Sequence, residues 1–201
     1  MKMIFLSIAT VIFYCTQSFA QVQFGIKAGV NLANVINLGT GDTRSRIGPN
    51  AGAFSEIQVA KKVIIQPELL YSVKGFKFQP TIYNSGGTLS LNYISIPVLA
   101  GYQTSEKLTL LAGPEFNFLT SAKSKFDNMS VDVSNTFRKF DLAVDFGLRY
   151  NLNNVFGLEA RYSIGFQDLA DGVQTDLSGN EIRKVRTGSN RVFQAGVFYR
   201  L

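Results

Sequence analysis

The stretch RKFDLAVDFGLRYN, residues 138–151, alternates apolar and polar side chains along its length. One face takes Leu142, Val144, Phe146, Leu148 and Tyr150, and the other takes Asp141, Asp145, Gly147 and Arg149. A period of two residues is typical of a β-strand with two different surroundings. The stretch therefore predicts a strand with one apolar face and one strongly charged face.

Seven further segments show the same alternation, near 23–33, 49–59, 63–76, 89–103, 108–121, 155–166 and 190–201. The connections between segments are alternately long (34–48, 77–88, 122–137, 167–189) and short (60–62, 104–107, 152–154). Outer-membrane barrels have short periplasmic turns and longer external loops, whereas a sandwich has no reason to place every long connection at one end. We predict an all-β fold: an eight-stranded, antiparallel, up-and-down transmembrane barrel with both termini in the periplasm.

The aromatic residues support this prediction, and three prolines count against it. On the predicted topology, two aromatic girdles form on the apolar face: Phe24, Tyr102, Tyr150, Phe156 and Tyr199 at the periplasmic rim, and Phe118, Phe166 and Phe193 at the outer rim. Three prolines, Pro67, Pro97 and Pro114, count against it because they lie inside predicted strands and lack a backbone N–H. We expect local bulges to accommodate them.

The first twenty residues have the features of a secretory signal peptide. Lys2 precedes an apolar run over residues 3–14, and Ser18-Phe19-Ala20 provides a small-x-small cleavage site. We expect residues 1–20 to be removed, which leaves a barrel domain over 21–201 and takes away the single cysteine, Cys15. The final strand, with Tyr199 and terminal Leu201, resembles the signal that the barrel-insertion machinery recognises.

Several motifs match a known family in order along the chain: QPELLYS (66–72) with Lys74-Gly75, YISIP (93–97), AGP (112–114), DFGL (145–148), EARYS (159–163) and NRVFQ (190–194). They resemble the PorT-like outer-membrane β-barrel family of Bacteroidetes over most of residues 21–201. The resemblance implies an eight-stranded barrel and places the three prolines within shared motifs. It also suggests a role as an accessory component of a protein-secretion system, since the namesake member takes part in one.

The polar faces of the strands are rich in charge, and an eight-stranded barrel has an interior that side chains fill. The residues predicted for this lumen are Glu68, Lys74, Glu115, Asp141, Asp145, Arg149, Glu159, Arg161 and Arg200. They are interpreted either as a gate or ion path, or as a plug of mutually neutralising charges. We favour the plug because buried charges must be paired wherever they occur.

No catalytic, cofactor or metal site is predicted. The chain has no histidine, which excludes the Ser–His arrangements of barrel lipases and acyltransferases. The loop carboxylates do not follow the spacing of a calcium-binding loop. We therefore predict a protein that is not an enzyme and needs no cofactor.

Basic residues gather in or beside the predicted long connections: Arg44, Arg46, Lys123, Lys125, Arg183, Lys184, Arg186 and Arg191. They are candidates for contacts with the phosphates of lipopolysaccharide at the outer leaflet. The alternative is an ordinary charged surface that keeps the loops soluble.

Four functions follow from these features. The leading hypothesis is a structural or interaction barrel in the outer membrane of a Gram-negative bacterium, whose external loops meet lipid or a protein partner. The others are a narrow porin-like channel, the secretion accessory suggested by the resemblance, and a soluble periplasmic lipid carrier with an apolar interior. Secretion argues against nucleic acid as a partner.

Overall fold

The computed structural model describes residues 22–38, 43–78, 86–126, 129–170, 172–175, 181–185 and 187–201. For residues 37–38, 172–175, 181–185 and 187 it describes the backbone alone. The predicted signal peptide, residues 1–20, lies outside these ranges and stays a prediction. None of the described residues belongs to a helix long and apolar enough to cross a membrane.

The described residues form β1 (Val22–Leu38), β2 (Thr43–Ala60), β3 (Val63–Phe78), β4 (Gly87–Gln103), β5 (Leu108–Phe126), β6 (Met129–Asp132), β7 (Phe140–Asn151), β8 (Phe156–Gly165), β9 (Gly172–Thr175), β10 (Glu181–Val185) and β11 (Thr187–Arg200). Eight of them pair antiparallel in the order β1-β2-β3-β4-β5-β7-β8-β11, and β11 pairs with β1 to close a barrel. The predicted eight-stranded antiparallel barrel is confirmed.

Three short strands lie outside the barrel wall. Strand β6 pairs with the end of β5, and β9 and β10 form a separate two-stranded sheet. These elements belong to the third and fourth long connections, which were predicted to be loops.

The barrel strands are longer than predicted at the end with the long connections. Strand β1 continues to Leu38, β2 begins at Thr43 and β5 continues to Phe126, so the predicted connections 34–48 and 122–137 are largely strand. The reason is that ladder hydrogen bonds to neighbouring strands extend the sheet without any alternation of apolar side chains. Gly75, with φ +124°, relieves the crowding in β3, where a Cβ would lie 2.1 Å from the carbonyl oxygen of Leu89.

The prolines lie inside the strands without shifting their register. Pro67 pairs with Val98 and Pro97 pairs with Glu115, and the register on either side of each is unchanged. Pairing is interrupted beside them, between Val98-Leu99 of β4 and residues 113–114 of β5. The expected bulges therefore do not form at these positions, because the sheet omits a few ladder pairs instead.

The two ends of the barrel differ. We call the end with residues 61–62, 104–107, 152–155 and Leu201 the turn end, and the opposite end, where β1, β3, β5 and β8 finish, the loop end. On the outer wall, exposed Phe24, Tyr102, Tyr150, Phe156 and Tyr199 ring the turn end, and Phe118, Phe166 and Phe193 are exposed towards the loop end. Apolar side chains cover the wall between these two sets.

Candidate functional site

The inward faces of the strands bring most of the predicted charges together in the lumen. Eight of the nine predicted residues are buried: Glu68, Lys74, Glu115, Asp141, Asp145, Arg149, Glu159 and Arg161. The ninth, Arg200, is only partly buried at the turn end. Alternation places these side chains inside because each strand carries its apolar face outward.

Arg161 on β8 is the centre of the charged layer. Its guanidinium lies 2.7 Å from Glu68 Oε1 on β3, which is on the opposite side of the barrel, and 3.0 Å from Asp145 Oδ2 on neighbouring β7. It also contacts Glu159 on its own strand. One guanidinium thus joins three carboxylates from three strands, which suits the planar fork of arginine.

Arg149 on β7 forms a second group nearer the turn end. It lies 3.0 Å from Glu159 Oε2 and pairs with Glu56 on β2, directly across the lumen. Its guanidinium carbon lies 4.9 Å from the ring centre of Phe54 and 4.4 Å from that of Phe198. The arginine is therefore held by carboxylates and by aromatic faces together.

Lys74 on β3 forms the third group, nearer the loop end. Its ammonium lies 2.6 Å from Glu115 Oε1 and donates to Asn117 Oδ1 at 2.9 Å. The Asn117 amide in turn donates to Glu115 Oε1 at 2.9 Å. Asp141 stands apart from these charges and accepts a hydrogen bond from the amide of Asn190 at 3.0 Å.

Two members of the charged layer are absent from the sequence-based set. Lys27 on β1 contacts Glu68 at 3.3 Å and also pairs with Glu159, and Glu56 accepts from both Arg149 and Arg200. Both residues lie on the polar faces of their predicted segments, so the alternation does carry the signal. The set of predicted lumen charges leaves them out because the partner across a barrel depends on strand stagger.

The described lumen contains more acid than base. Its cations are Lys27, Lys74, Arg149, Arg161 and Arg200, and its carboxylates are Glu56, Glu68, Glu115, Asp141, Asp145 and Glu159. Glu115 Oε2, Asp141 Oδ1 and Asp145 Oδ1 are buried without a hydrogen-bond donor. No three His, Cys, Asp or Glu side chains among the described residues are grouped to hold a metal ion.

Apolar layers bound the charged layer on both sides. At the loop end a cluster of Val35, Phe76, Leu89, Leu91, Tyr93, Leu119, Ala122 and Leu169 fills the interior. At the turn end the rings of Phe54 and Phe198 meet edge-to-face with centres 5.9 Å apart. The cavity inside the charged layer, beside Lys27 and Arg161, measures about 10 Å³. That is room for about one water molecule.

A polar vestibule of about 360 Å³ opens at the turn end. Glu56 and Arg200 lie at its floor, and the amide side chains of Gln23, Gln58, Gln103, Asn151, Asn153 and Asn154 line it. Arg200 donates to Asn151 Oδ1 at 2.9 Å and lies 3.1 Å from Glu56 Oε1. The vestibule therefore ends at a closed ion pair.

The basic residues predicted near the loops have several locations. Arg44 and Arg46 lie in β2 and Lys123 and Lys125 in β5, so their placement in loops was wrong because these strands extend further than predicted. Arg191 lies in β11, within the predicted strand 190–201. Arg46 donates to the Lys74 carbonyl and Arg191 to the Gly165 carbonyl, whereas Arg44, Lys123 and Lys125 are exposed. Arg183 and Lys184 lie in β10 with only their backbone described, and Arg186 lies outside the described residues.

An additional cation joins this group on the outer wall. Lys77 of β3 pairs across strands with Arg44 of β2 and with Thr88 of β4, and Thr88 pairs with Lys125 of β5. We call the exposed residues Arg44, Lys77, Lys123 and Lys125 the cationic belt. The predicted set of basic residues omits Lys77, although Lys77 begins the predicted connection 77–88.

A family model described as "Outer membrane protein beta-barrel domain" matches residues 17–171. The chain belongs to this family of outer-membrane barrels. The membership places the protein in the outer membrane and agrees with the apolar outer wall. No curated protein sequence matches the chain.

Solved outer-membrane barrels share the fold of this family member at low sequence identity. Ail, the attachment invasion locus protein of Yersinia pestis, is 16% identical with a TM-score of 0.51, over 89% of this chain and 98% of its own. Neisserial surface protein A is 11% identical with a TM-score of 0.52, over 90% and 97%. A major outer membrane protein from Thermus thermophilus is 15% identical with a TM-score of 0.51, over 90% and 99%.

The charged lumen can be compared directly with the hypothesis of a soluble lipid carrier. A soluble lipid carrier requires an apolar interior and a polar outer wall. The family member has a charged interior, with Arg149, Arg161 and Glu115 fully buried, and an apolar outer wall. The lipid-carrier hypothesis is therefore wrong.

Proposed function

We propose that the protein is a non-enzymatic barrel with a sealed lumen that acts through its loop end, where the cationic belt binds the phosphates of lipopolysaccharide. The proposal includes a Gram-negative host, cleavage of residues 1–20 and a periplasmic position for both termini. The observation that carries it is the row of exposed cations on the outer wall, Arg44, Lys77 and Lys125, aligned across four strands. This row lies beyond the exposed aromatic residues, at the height where headgroups meet the barrel.

The location of the belt supports lipopolysaccharide binding over the alternative of an ordinary charged surface. A charged surface that only keeps loops soluble has no reason to form a row on the lipid-facing wall. Each lysine or arginine near an anionic membrane surface contributes about 1 kcal/mol of attraction. Asp132, cross-strand from Lys123, is the acid paired beside the belt, so the belt keeps a net positive charge.

Binding of purified lipopolysaccharide to the refolded barrel in detergent tests the proposal. The variant carrying Arg44→Gln, Lys77→Gln, Lys123→Gln and Lys125→Gln is expected to bind about tenfold or more weakly. The control carries Lys107→Gln and Lys139→Gln, at exposed positions outside the belt, and should bind as the unaltered chain does. Equal binding by the belt variant, or equal binding of dephosphorylated lipopolysaccharide, would contradict the proposal.

The sealed lumen has a separate test by planar-bilayer recording. Because apolar layers and closed ion pairs fill the interior, we expect no conductance above background from the unaltered barrel. A narrow channel is the second candidate, and the vestibule that leads to Glu56 and Arg200 favours it. A steady conductance that changes on Arg149→Ala would establish the channel and overturn the sealed barrel.

A further inference from the structure

The outer wall is indented near the turn end. Small side chains cause the indentation, since Ala100 of β4 and Ala112 of β5 are cross-strand partners and both face outward. Exposed Tyr102, Leu110 and Phe146 rise on its sides. The resulting groove measures about 580 Å³ and its surface is almost entirely apolar.

The turns beside the groove are positively charged. The row Val63–Tyr102–Leu110 forms the rim of the groove towards the turn end. Lys61 and Lys62 directly precede Val63 in the turn between β2 and β3, whereas Lys107 borders the vestibule. All three lysines of these turns, Lys61, Lys62 and Lys107, are exposed, and the acid among them is Glu106.

The third turn has a different character. Residues 152–155, between β7 and β8, read LNNV and carry no charge. The positive charge of the turn end is therefore concentrated on the side of the barrel that carries the groove. The apolar groove can hold a hydrocarbon chain, and the cations beside it lie at the depth of the headgroups. Together they are complementary to an amphipathic anionic molecule.

We propose that this groove holds an acyl chain of an anionic phospholipid whose phosphate lies against Lys61 and Lys62. The site is at the opposite end of the barrel from the cationic belt and is independent of it. The fit is specific in its hydrocarbon part because Ala112 leaves space that a larger side chain would fill. It is specific in its headgroup part because an uncharged headgroup gains nothing from the lysines.

Native mass spectrometry of the refolded barrel tests the proposal, with phosphatidylglycerol and phosphatidylcholine added in detergent. We expect one phosphatidylglycerol molecule to stay bound in preference to phosphatidylcholine. Ala112→Leu should lower the bound fraction by about tenfold for both lipids, because the leucine occupies the space of the chain. Ala51→Leu is the matched control, since Ala51 is also outward and exposed but lies on β2 away from the groove.

The headgroup part has its own variant, which does not depend on the behaviour of Ala112→Leu. Lys61→Gln with Lys62→Gln should remove the preference for phosphatidylglycerol and leave the binding of phosphatidylcholine unchanged. The control variant, Lys107→Gln with Lys139→Gln, alters exposed lysines outside the groove and outside the cationic belt and should keep the preference. Equal lipid retention by Ala112→Leu and Ala51→Leu, or an unchanged preference in the variant of Lys61 and Lys62, would overturn the site.

Discussion

The guanidinium carbon of Arg149 lies 4.4 Å from the centre of the Phe198 ring. Phe198 projects into the lumen from β11, two strands away from β7, so this contact spans the interior and does not follow the sheet. The same guanidinium pairs with Glu159. A lysine at this position would keep the positive charge but lose the flat surface that stacks on the ring.

We expect Arg149→Lys to lower the free energy of unfolding by about 2 kcal/mol, because a desolvated cation–π contact and one arm of the ion pair are lost. Urea unfolding of the barrel in lipid vesicles, followed by circular dichroism, measures the change. Arg44→Lys, at an exposed position on β2, is the control and should change stability by less than about 0.5 kcal/mol. Equal stability of both variants would show that the stacking on Phe198 contributes nothing.

Because the described lumen has more carboxylates than cations, we expect two of its acids, Glu68 and Asp145, to contribute differently to the stability of the barrel. Glu68 forms ion pairs with Lys27 and Arg161 and accepts from Gln66, whereas Asp145 forms an ion pair with Arg161 and leaves Oδ1 without a donor. Glu68→Gln should cost about 3–5 kcal/mol of unfolding free energy, since it leaves two buried cations short of a partner.

Asp145→Asn should cost less than about 1 kcal/mol, because it removes the surplus charge and keeps an oxygen for Arg161. The same unfolding experiment at neutral pH compares the two variants directly. If Asp145→Asn is as destabilising as Glu68→Gln, the surplus carboxylate has a structural partner that the pairing above does not include.

Two glycines on β8 provide a matched pair for the packing of the turn end. A Cβ at Gly157 would lie 2.2 Å from Cζ of the buried Phe198 ring, whereas at Gly165 the nearest atom is 3.1 Å away. We expect Gly157→Ala to destabilise the barrel by about 1–3 kcal/mol through overpacking, and Gly165→Ala to cost clearly less. Phe198→Leu should restore part of the loss in the Gly157→Ala background. Equal effects of the two alanine variants would rule out this account of the turn end.

The proposed topology predicts which end of the barrel faces the medium. The predicted mature chain has no cysteine, so single cysteines can be introduced without background. With both termini periplasmic, a membrane-impermeant maleimide added to intact cells should label Asn135→Cys, at the loop end, and spare Glu106→Cys, at the turn end. Both positions are exposed, so lysed cells should show labelling of each. The reverse pattern would invert the topology.

The strands and their faces could be predicted because each strand separates lipid from lumen over most of its length. Residues 138–151 show this directly, with Phe146 and Leu148 outward and Asp145 and Arg149 inward. Where a strand no longer separates lipid from lumen, the alternation of apolar and polar side chains that predicts it is lost. The extensions of β1, β2 and β5 beyond the apolar wall are maintained by backbone pairing, which leaves no alternation in the side chains.

The sequence predicts which residues form the charged layer better than it predicts which of these residues form ion pairs. Alternation along one strand gives the inward residues, but which of them meet depends on the stagger between strands on opposite sides. Lys27 with Glu159, and Arg149 with Glu56, are contacts of this second kind. The residues of the cationic belt were predicted in part, since the predicted set contains Arg44, Lys123 and Lys125 but omits Lys77.

The pairing of Arg161 with Glu68 joins β8 to β3, four strands apart in either direction around the barrel. In an open sheet these two side chains are at distant positions, so this ion pair cannot form before β11 meets β1. A sheet that closes out of register would trap ions without partners inside the hydrocarbon layer, at a cost of several kcal/mol for each ion. We therefore expect the lumen charges to favour correct closure over misassembled barrels during insertion.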